Sequence, residues 1–481
     1  MLNIVFVQDN AINESLALTE LSGCLLAAGH RTRLLLTDHE PDVEGELRRF
    51  SPAIAVIPCP VTGHETALAQ AHLVKTVLPD CLVVFGGTHA SLDPEIARQP
   101  DVDVVVVGEA DDAVVALAGR LAAGKDWRDV PNLAFVEEGE LRKNPLGPLV
   151  EPLDRLAMPD RDLYYRYHFI GRFPWKKFTT GRGCIHACSF CWNPTVADLY
   201  HQTRGNFTRR KSPRRAVDEV LAVKARYPLR SVHFSDDLFT VKSSWLEEFA
   251  PLYKKEVGVP FSCNSSIELA TDRNMKALAA AGCRCVCIGL ETGNEKLRSK
   301  ILNKSVSNDD VRRAGETVHR YGMELATFNM LAAPGETLED AFATIRLNQE
   351  IKADHVRVNI AVPLPHTEFE RRAVDEGFLD ASYLTARANS LEHPTVAFKT
   401  ADARAFENLF YLFRLAVHFP ALDPVIRRAV HLPITPLLDP LRLMIPYGEK
   451  RLNNLRWRDG LLFFRHIGDP HKRNSNYPTL I

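Results

Sequence analysis

Three cysteines lie close together in the segment 181–194, which reads GRGCIHACSFCWNP. Cys184, Cys188 and Cys191 follow the spacing C-x3-C-x2-C. Thiolates packed this closely suit three irons of a cubane [4Fe–4S] cluster, because soft sulfur ligands favour iron–sulfur centres. The fourth iron would then lack a protein ligand and be open to a reacting molecule. A structural zinc site is the alternative, with His186 inside the loop as the nearby candidate for its fourth ligand.

The cysteine spacing resembles the signature of the radical S-adenosylmethionine (SAM) family. Phe190 and Trp192 flank the last cysteine, as an aromatic residue commonly does in that family. The resemblance implies that the three cysteines hold the cluster and that SAM chelates the open iron. It also implies reductive cleavage of SAM to methionine and a 5′-deoxyadenosyl radical, which removes hydrogen from the substrate.

A series of strand and helix patterns must position this loop. Six strand-and-helix units predict a partial (β/α)6 barrel with reactive groups at its C-terminal mouth, which is also the core fold that the resemblance implies. Thr271, Ser307 and Thr337 are predicted helix N-caps. The strand patterns begin at KKFTTGRGC and continue at 231–237, 260–266, 283–291, 326–336 and 355–365.

Several residues at the strand ends are candidate SAM or substrate contacts. Asp236 and Asp237 could accept hydrogen bonds from the SAM ammonium, or be plain loop carboxylates. Glu291 leaves a buried strand and needs a partner, which favours a SAM or substrate contact. Gly335 lies in a turn similar to the family's adenine-side turn, and His366 stands where many relatives have glycine, which makes it a candidate for substrate contact.

Three further cysteines alternate along the fourth strand of this series. Cys283, Cys285 and Cys287 are predicted to share a face with Glu291. Their spread along an extended strand suits buried small hydrophobic residues better than ligands of a second cluster. Cys287 is the one expected to face the barrel interior.

The amino-terminal region has its own alternation of short apolar strands and amphipathic helices. This pattern predicts a doubly wound, Rossmann-like α/β domain whose ligand lies at the carboxyl ends of the strands. The predicted strands are 3–7, 31–36, 53–57, 81–85 and 103–107.

Glycine-containing segments follow the last two of these strands, VFGGTHASLDPE at 84–95 and DVVVVGEADD at 103–112. Together they resemble the cobalamin-binding domain that precedes the barrel in one branch of radical SAM enzymes. A flavodoxin-like domain without a cofactor is the alternative. The cobalamin contacts that the resemblance implies are Gly86, Gly87, Thr88 and Gly108.

The first loop of this region lacks a cobalt-ligating histidine. Ala11 stands where other cobalamin proteins carry the histidine of Asp-x-His-x-x-Gly. Members of the radical SAM branch typically leave the lower cobalt face without histidine, so the departure does not argue against cobalamin.

Length and patterning predict four segments: a cobalamin-binding domain (1–125), a linker with a small hairpin (126–165), the barrel (166–380) and a helical C-terminal region (381–481). In the last segment, NLFYLFRLAVHF and GLLFFRHIG are expected to pack on the barrel; the alternatives are that they line a pocket for a bulky apolar substrate or touch a membrane. The basic run 209–215 is interpreted as a solvated helix start, with Ser212 as N-cap and Pro213 in the first turn.

Composition excludes other classes. Hydrophobic residues make up 46% of the 481, and the formal net charge of −1 gives no field that would attract nucleic acid. There is no signal-peptide pattern and no apolar run of the roughly 20 residues that a transmembrane helix needs. We therefore expect a cytoplasmic protein with no transmembrane segment and no nucleic-acid partner.

Taken with these patterns, the resemblance implies a cobalamin-dependent radical SAM enzyme that methylates an unactivated carbon of a small-molecule or lipid-like substrate through methylcobalamin. An external donor such as flavodoxin or ferredoxin would reduce the cluster. Alternatives are cyclisation, ring contraction or oxidation without methyl transfer, and a non-catalytic cobalamin or redox sensor. A methylthiotransferase is disfavoured, because no basic C-terminal RNA module is visible.

Overall fold

The computed structural model describes residues 1–11, 14–60, 63–201, 205–379, 400 and 402–438. Packing divides the chain into two compact units. Unit 1 contains residues 1–173 and 195–211, and unit 2 contains 174–194 and the described residues from 212 onward. The chain therefore leaves unit 1, forms the cysteine loop in unit 2, and returns to unit 1 before it completes unit 2.

Unit 1 is built on a seven-stranded sheet in the order β2-β1-β3-β4-β5-β6-β7. The first five strands are parallel in the flavodoxin-like order, so a ligand is expected at their carboxyl ends near the β1/β3 switch point. The hairpin predicted in the linker is present as β6 and β7, and it extends the sheet with β6 antiparallel to β5. The strands are β1 (Asn3–Gln8), β2 (Arg31–Leu36), β3 (Ile54–Pro58), β4 (Leu82–Gly86), β5 (Val104–Val106), β6 (Leu133–Glu137) and β7 (Glu140–Lys143).

Helices pack on this sheet, and its apolar strands are buried beneath them. Ser15 and Asp42 cap the first two helices by accepting from backbone amides of the first turn. The helices are α1 (Leu16–Ala27), α2 (Val43–Phe50), α3 (His64–Val77), α4 (Thr88–Leu92), α5 (Asp111–Ala122), α6 (Asp162–Tyr165) and α7 (His168–Gly171).

Unit 2 contains a six-stranded parallel sheet whose strands follow one another in chain order. This is the predicted partial barrel, with the cysteine loop directly after its first long strand, β8. The strands of unit 2 are β8 (Trp175–Phe178), the short β9 (Gly181–Arg182), β11 (Ser231–Phe234), β12 (Phe261–Ser265), β13 (Cys283–Glu291), β14 (Glu324–Leu331) and β15 (His355–Ile360); the short β10 (Arg209–Arg210) is in unit 1.

The helix caps in unit 2 are as predicted. Thr271 accepts from the backbone amide of the first turn of α11, and Ser307 and Thr337 each form a complete capping box. The helices after α7 are α8 (Trp192–Leu199), in which the boundary between the units falls, α9 (Pro213–Arg226), α10 (Ser243–Leu252), α11 (Asp272–Ala281), α12 (Glu295–Lys300), α13 (Asn308–Arg320), α14 (Leu338–Glu350), α15 (Glu368–Asp375), α16 (Ala403–His418), α17 (Asp423–Ala429) and α18 (Thr435–Leu438).

The prediction that three cysteines of β13 share a face is wrong, because a bulge interrupts the strand. Phe261 of β12 lies opposite Cys283, but the next residue, Ser262, lies opposite Cys285. Arg284 is therefore an extra residue, and an extra residue reverses the alternation of side chains. A second irregularity separates Gly289 from Glu291.

The bulge divides the cysteines into two groups. The Cys283 thiol lies beside Cys263, whose pKa is raised by burial and further by the hydrogen bond with Cys283. Cys285 and Cys287 pack instead with Ala326 and the partly buried Phe328. All four cysteines are buried, which agrees with the predicted role of Cys283, Cys285 and Cys287 as small hydrophobic residues.

The basic run 209–215 is not uniformly solvated, which corrects the sequence interpretation. Arg209 is buried and forms two hydrogen bonds to the Glu109 carboxylate, at 2.8 and 3.0 Å. Lys211 is buried and pairs with Glu20 at 2.7 Å. Ser212 does cap α9 as predicted. Two of the cations are thus interior partners of carboxylates in unit 1.

The described part of the C-terminal region packs against the barrel through α16. This helix carries the predicted NLFYLFRLAVHF pattern and buries Phe406, Leu409 and Phe413. Arg414 Nε donates to the Val356 carbonyl of β15 at 2.9 Å. The segment GLLFFRHIG lies outside the described residues. Within the described residues, no helix has both the length and the apolar character needed to span a membrane.

Candidate functional site

The cysteine loop is fastened to the barrel by backbone and side-chain hydrogen bonds. Ser189, between the second and third cysteines, donates its backbone amide to Leu302 O at 3.1 Å and its hydroxyl to Ile301 O at 2.6 Å. Its own carbonyl accepts from the Phe369 amide at 2.9 Å. Trp192 Nε1 donates to Pro365 O at 3.0 Å. The loop is therefore anchored at the carboxyl ends of the barrel strands, where the sequence predicted the reactive groups.

The three thiols lie close enough to influence one another's ionisation. Burial raises the pKa of all three, to about 11 for Cys188. Backbone amides donate to two of the sulfurs, His186 N to Cys184 and Asn193 N to Cys191, both at 3.4 Å. A metal cluster would have to displace the thiol protons, and such amides stabilise the resulting thiolates.

The donor set fits a cubane better than a single ion. In the described part of the chain, no group of three or more His, Cys, Asp or Glu side chains is arranged to hold one metal ion. A [4Fe–4S] cluster does not need that convergence, since each thiolate binds a different iron. Three neighbouring thiols therefore have the donor chemistry of a [4Fe–4S] site.

Asn193 connects the cysteine loop with Asp237. Its side-chain Nδ2 lies 3.6 Å from Cys191 Sγ, and its hydrogen bond to Asp237 lowers the pKa of that carboxyl. Desolvation by the surrounding protein and the nearby Asp236 outweigh this effect and raise the pKa of Asp237. The Asp237 side chain still reaches solvent. It is consequently available to a cationic group beside the third cysteine.

Asp236, unlike Asp237, faces the protein interior. It is buried, and its carboxylate accepts from the Thr180 amide at 3.0 and 3.1 Å and from the Thr180 hydroxyl at 2.6 Å. These bonds join the end of β11 to the segment that enters the cysteine loop. Of the two aspartates predicted as ammonium contacts, Asp237 is thus the better placed, and Asp236 has a positioning role.

Glu291 has the partner that its burial requires. It is 9% exposed, and its Oε1 lies 3.3 Å from Lys304 Nζ. Gly289 leaves room for this pair, because a Cβ there would lie 2.1 Å from Glu291 Oε1 and 2.9 Å from Lys304 Nζ. Lys304 lowers and Glu291 raises the pKa of Cys188. The ion pair therefore lies beside the second cysteine.

The turn after β14 brings a buried carboxyl group beside Gly335. Gly335 has φ +74°, which favours glycine. Glu336 accepts from the Ala333 amide at 3.0 Å, whereas its Oε1 has no hydrogen-bond partner among the described residues. Burial raises the pKa of Glu336 to about 8. The carboxyl is therefore largely protonated at neutral pH and can act as a hydrogen-bond donor in this turn.

His366 lies at the start of α15, where its backbone amide donates to Glu370 Oε2 at 2.7 Å. It has φ +66° and an exposed side chain. Its predicted role as a substrate contact stays a prediction.

In unit 1, the predicted cobalamin contacts lie at the carboxyl ends of β4 and β5. Ser91 joins the two ends, because its hydroxyl donates to Gly87 O at 2.8 Å and accepts from the Gly108 amide at 2.9 Å. Gly86 has space for a ligand, since a Cβ there would approach only Val106, at 4.0 Å. Thr88 is the first residue of α4.

The other two glycines are required by the protein itself. A Cβ at Gly108 would lie 1.9 Å from the Tyr200 hydroxyl, and one at Gly87 would lie 3.2 Å from Cys59 O. Both have positive φ, 81° and 112°. Their identity thus carries less information about a ligand than the sequence suggested, whereas Gly86 remains a candidate contact.

The two parts of the chain match two families in the predicted order. Residues 4–118 match the B12 binding domain, and residues 178–347 match the Radical SAM superfamily. The chain belongs to the cobalamin-binding radical SAM enzymes. Its cofactors are accordingly cobalamin, a [4Fe–4S] cluster and SAM. Cys184, Cys188 and Cys191 have the donor chemistry for the cluster, as described above.

This radical SAM enzyme has methyltransferases among its relatives. It is 25% identical over 343 residues to the uncharacterized methyltransferase PH0819 of Pyrococcus horikoshii, covering 70% of this chain and 73% of the relative. It is 24% identical over 388 residues to the cytidylyl-2-hydroxyethylphosphonate methyltransferase of Streptomyces wedmorensis, covering 71% and 70%.

The fold is shared with the cobalamin-dependent radical SAM enzyme OxsB, solved with aqua-cobalamin and SAM bound. The TM-score is 0.69 at 14% identity, and the alignment covers 97% of this chain and 75% of that one. At this identity the similarity shows the fold alone.

Sequence reasoning missed three residues that surround the candidate sites. Asn193 was visible in the cysteine motif, but nothing in the sequence showed that its amide joins Cys191 to Asp237. Lys304 lies 13 residues after Glu291 and has no local signal. Tyr200, whose hydroxyl accepts from the Glu109 amide at 2.6 Å, reaches unit 1 from a segment that follows the cysteine loop.

Proposed function

We propose that this enzyme transfers a methyl group to an unactivated carbon of a small-molecule substrate. When bound, cobalamin would supply the methyl group, and the cluster with SAM would supply the 5′-deoxyadenosyl radical that activates the substrate. The observation that carries the proposal is the anchored cysteine loop at the mouth of a parallel barrel, in a chain that also has a B12 binding domain. Relatives named as methyltransferases support methyl transfer over other radical chemistry.

The chain's own residues would bind and orient the reactants. Asp237 would accept from the SAM ammonium, since it reaches solvent and lies beside the third cysteine. Lys304, held by Glu291, would stabilise the Cys188 thiolate, and the pair would hold that side of the SAM site. Gly335 would let the nucleoside approach the backbone, with the Glu336 carboxyl beside it. Gly86, Gly87, Thr88 and Gly108 of unit 1 remain the proposed cobalamin contacts.

Stoichiometry of the products tests the proposal. The anaerobically reconstituted full-length protein is incubated with SAM, cobalamin, a candidate small-molecule substrate and either dithionite or a reduced flavodoxin or ferredoxin, and nucleoside products are measured by liquid chromatography and mass spectrometry. Methyl transfer predicts both 5′-deoxyadenosine and S-adenosylhomocysteine. 5′-Deoxyadenosine alone would favour cyclisation, ring contraction or oxidation, and the absence of SAM cleavage would contradict a radical SAM enzyme.

A pair of cysteine variants makes the assay specific. Cys188→Ala should abolish SAM cleavage, because the cubane loses one of its three protein ligands. Cys24→Ala removes a half-buried thiol of unit 1 and should leave cleavage unchanged. Cobalamin absorbance in both variants checks that unit 1 is folded.

A further inference from the structure

The inner face of the barrel sheet carries a cluster of polar side chains below the cysteine loop. Phe234 at the end of β11 packs on Phe239 and Phe249, on the helix side of the sheet. The preceding residue, His233, therefore points to the opposite, inner face. It lies opposite Lys177 of β8 in the parallel ladder.

His233 is a buried polar group with an unused position. It is 1% exposed, and its Nδ1 lies 2.8 Å from the Ser262 hydroxyl. Its Nε2 has no hydrogen-bond partner among the described residues. Leaving a buried ring nitrogen unbonded is costly, so the position suits a ligand atom.

Two cations approach the same ring. Desolvation lowers the pKa of the buried His233, and the charges of Lys177 and Arg357 lower it further. Lys177 Nζ lies 5.6 Å from the centre of the Trp175 ring, which stacks on His233 at 6.1 Å.

Arg357 comes from the other side of the barrel, on β15. It is 9% exposed, and its guanidinium carbon lies 5.9 Å from the centre of the Phe328 ring. Phe328 packs with Cys285 and Cys287, and the pKa of Cys287 is lowered first by its hydrogen bond with Cys285 and then by the charge of Arg357. The guanidinium is therefore on the inner face, together with Lys177 and His233.

We propose that Lys177, His233 and Arg357 form a subsite for an oxyanion of the substrate, a phosphate, phosphonate or carboxylate group. An ammonium and a guanidinium are the side chains that recognise such groups by charge-assisted hydrogen bonds, and the Nε2 position of His233 adds a third contact. The inference rests on the proposed function, since it assigns the substrate class of the same barrel. It narrows the substrate class to molecules that carry an ionised oxyanion group.

Anion binding tests the subsite without turnover. Inorganic phosphate and acetate are titrated into the full-length reconstituted protein at constant ionic strength, and binding is measured by calorimetry and by the shift in Tm. At least one of the two should bind, and comparison between them distinguishes a tetrahedral anion from a carboxylate. Arg357→Gln and Lys177→Gln should each weaken that binding by tenfold or so, whereas Arg320→Gln, which removes an exposed cation paired with Asp272, should not.

Three results would overturn the proposal. The first is no binding of either anion, and the second is equal binding by all variants. The third is competition between the anion and SAM, which would show that Lys177, His233 and Arg357 belong to the SAM site. Because Arg357→Gln or Lys177→Gln could fail to fold, the wild-type protein is also crystallised with selenate as an anion that can be located by X-ray scattering. Anomalous scattering should place selenium with an oxygen about 3 Å from His233 Nε2, and selenate bound elsewhere alone would contradict the subsite. SAM cleavage by the unchanged protein tests the proposed function separately.

Discussion

The side chain of Asn193 links the cysteine loop to the candidate SAM site. Its amide lies beside Cys191 Sγ and hydrogen bonds to Asp237. Hydrogen bonds to ligand sulfur raise the potential of an iron–sulfur cluster, because they stabilise the more negative, reduced state.

Asn193→Ala should therefore lower the reduction potential of the cluster. Electron paramagnetic resonance during a redox titration measures the change, which we expect to be tens of millivolts. Asn144→Ala, which removes an amide that bonds the Arg128 and Val130 carbonyls in unit 1, is the control. An unchanged potential in Asn193→Ala would show that its amide does not influence the cluster.

Glu336 should make stability depend on pH. Its pKa is raised from 4.5 to about 8 by burial, so between these values the folded state holds a proton that the unfolded state has lost. The free energy of unfolding should therefore fall as pH rises from about 5 to 8. Glu336→Gln keeps an uncharged group there, and its stability should depend less on pH over the same range, as measured by urea unfolding at several pH values. Identical pH profiles would contradict the raised pKa.

At the scale of the elements, Gly293 permits the close approach of the β13–α12 loop to α14. A Cβ at this position would lie 2.5 Å from both the carbonyl carbon and oxygen of Ala343. Backbone atoms cannot move aside as a side chain can, so Gly293→Ala should destabilise the protein by about 1–3 kcal/mol or more. Thermal unfolding measures the loss.

Gly119→Ala is the matched control for this substitution. Gly119 lies inside α5, and nothing is within 4 Å of a Cβ placed there. The change should be neutral or stabilise by up to about 1 kcal/mol, because alanine favours helix. A similar loss in both variants would mean that general helix or loop effects, and not the contact with α14, set the cost.

Some of the strands, helices and turns could be predicted from the sequence, and others could not. Local signals were sufficient for strands and helix ends: the caps at Thr271, Ser307 and Thr337 each depend on side chains within three residues. The bulge at Arg284 could not be predicted, because it is defined by the register with β12. Lys304 was missed for a related reason, since the fold and not the spacing brings it to Glu291.

At the scale of the whole molecule, the segment 195–211 is bound into unit 1 by buried ion pairs. Lys211 and Glu20 are 191 residues apart and pair at 2.7 Å, both nearly inaccessible to solvent. Lys211→Met should remove the ammonium that pairs with the buried Glu20 carboxylate and destabilise unit 1 by about 3–5 kcal/mol. The double variant Lys211→Met, Glu20→Leu should recover much of the loss, as judged by denaturant unfolding. Equal losses in the single and double variants would contradict a charge-based penalty.

Because the chain makes an excursion through the cysteine loop before unit 1 is complete, neither unit is a contiguous stretch of the gene. A recombinant amino-terminal half that stopped at residue 165 or 173 would lack Tyr200, Arg209 and Lys211, which all form contacts inside unit 1. A single crossover at that point would therefore not transfer a complete unit 1 between enzymes, because the segment 195–211 that follows the cysteine loop would be left behind.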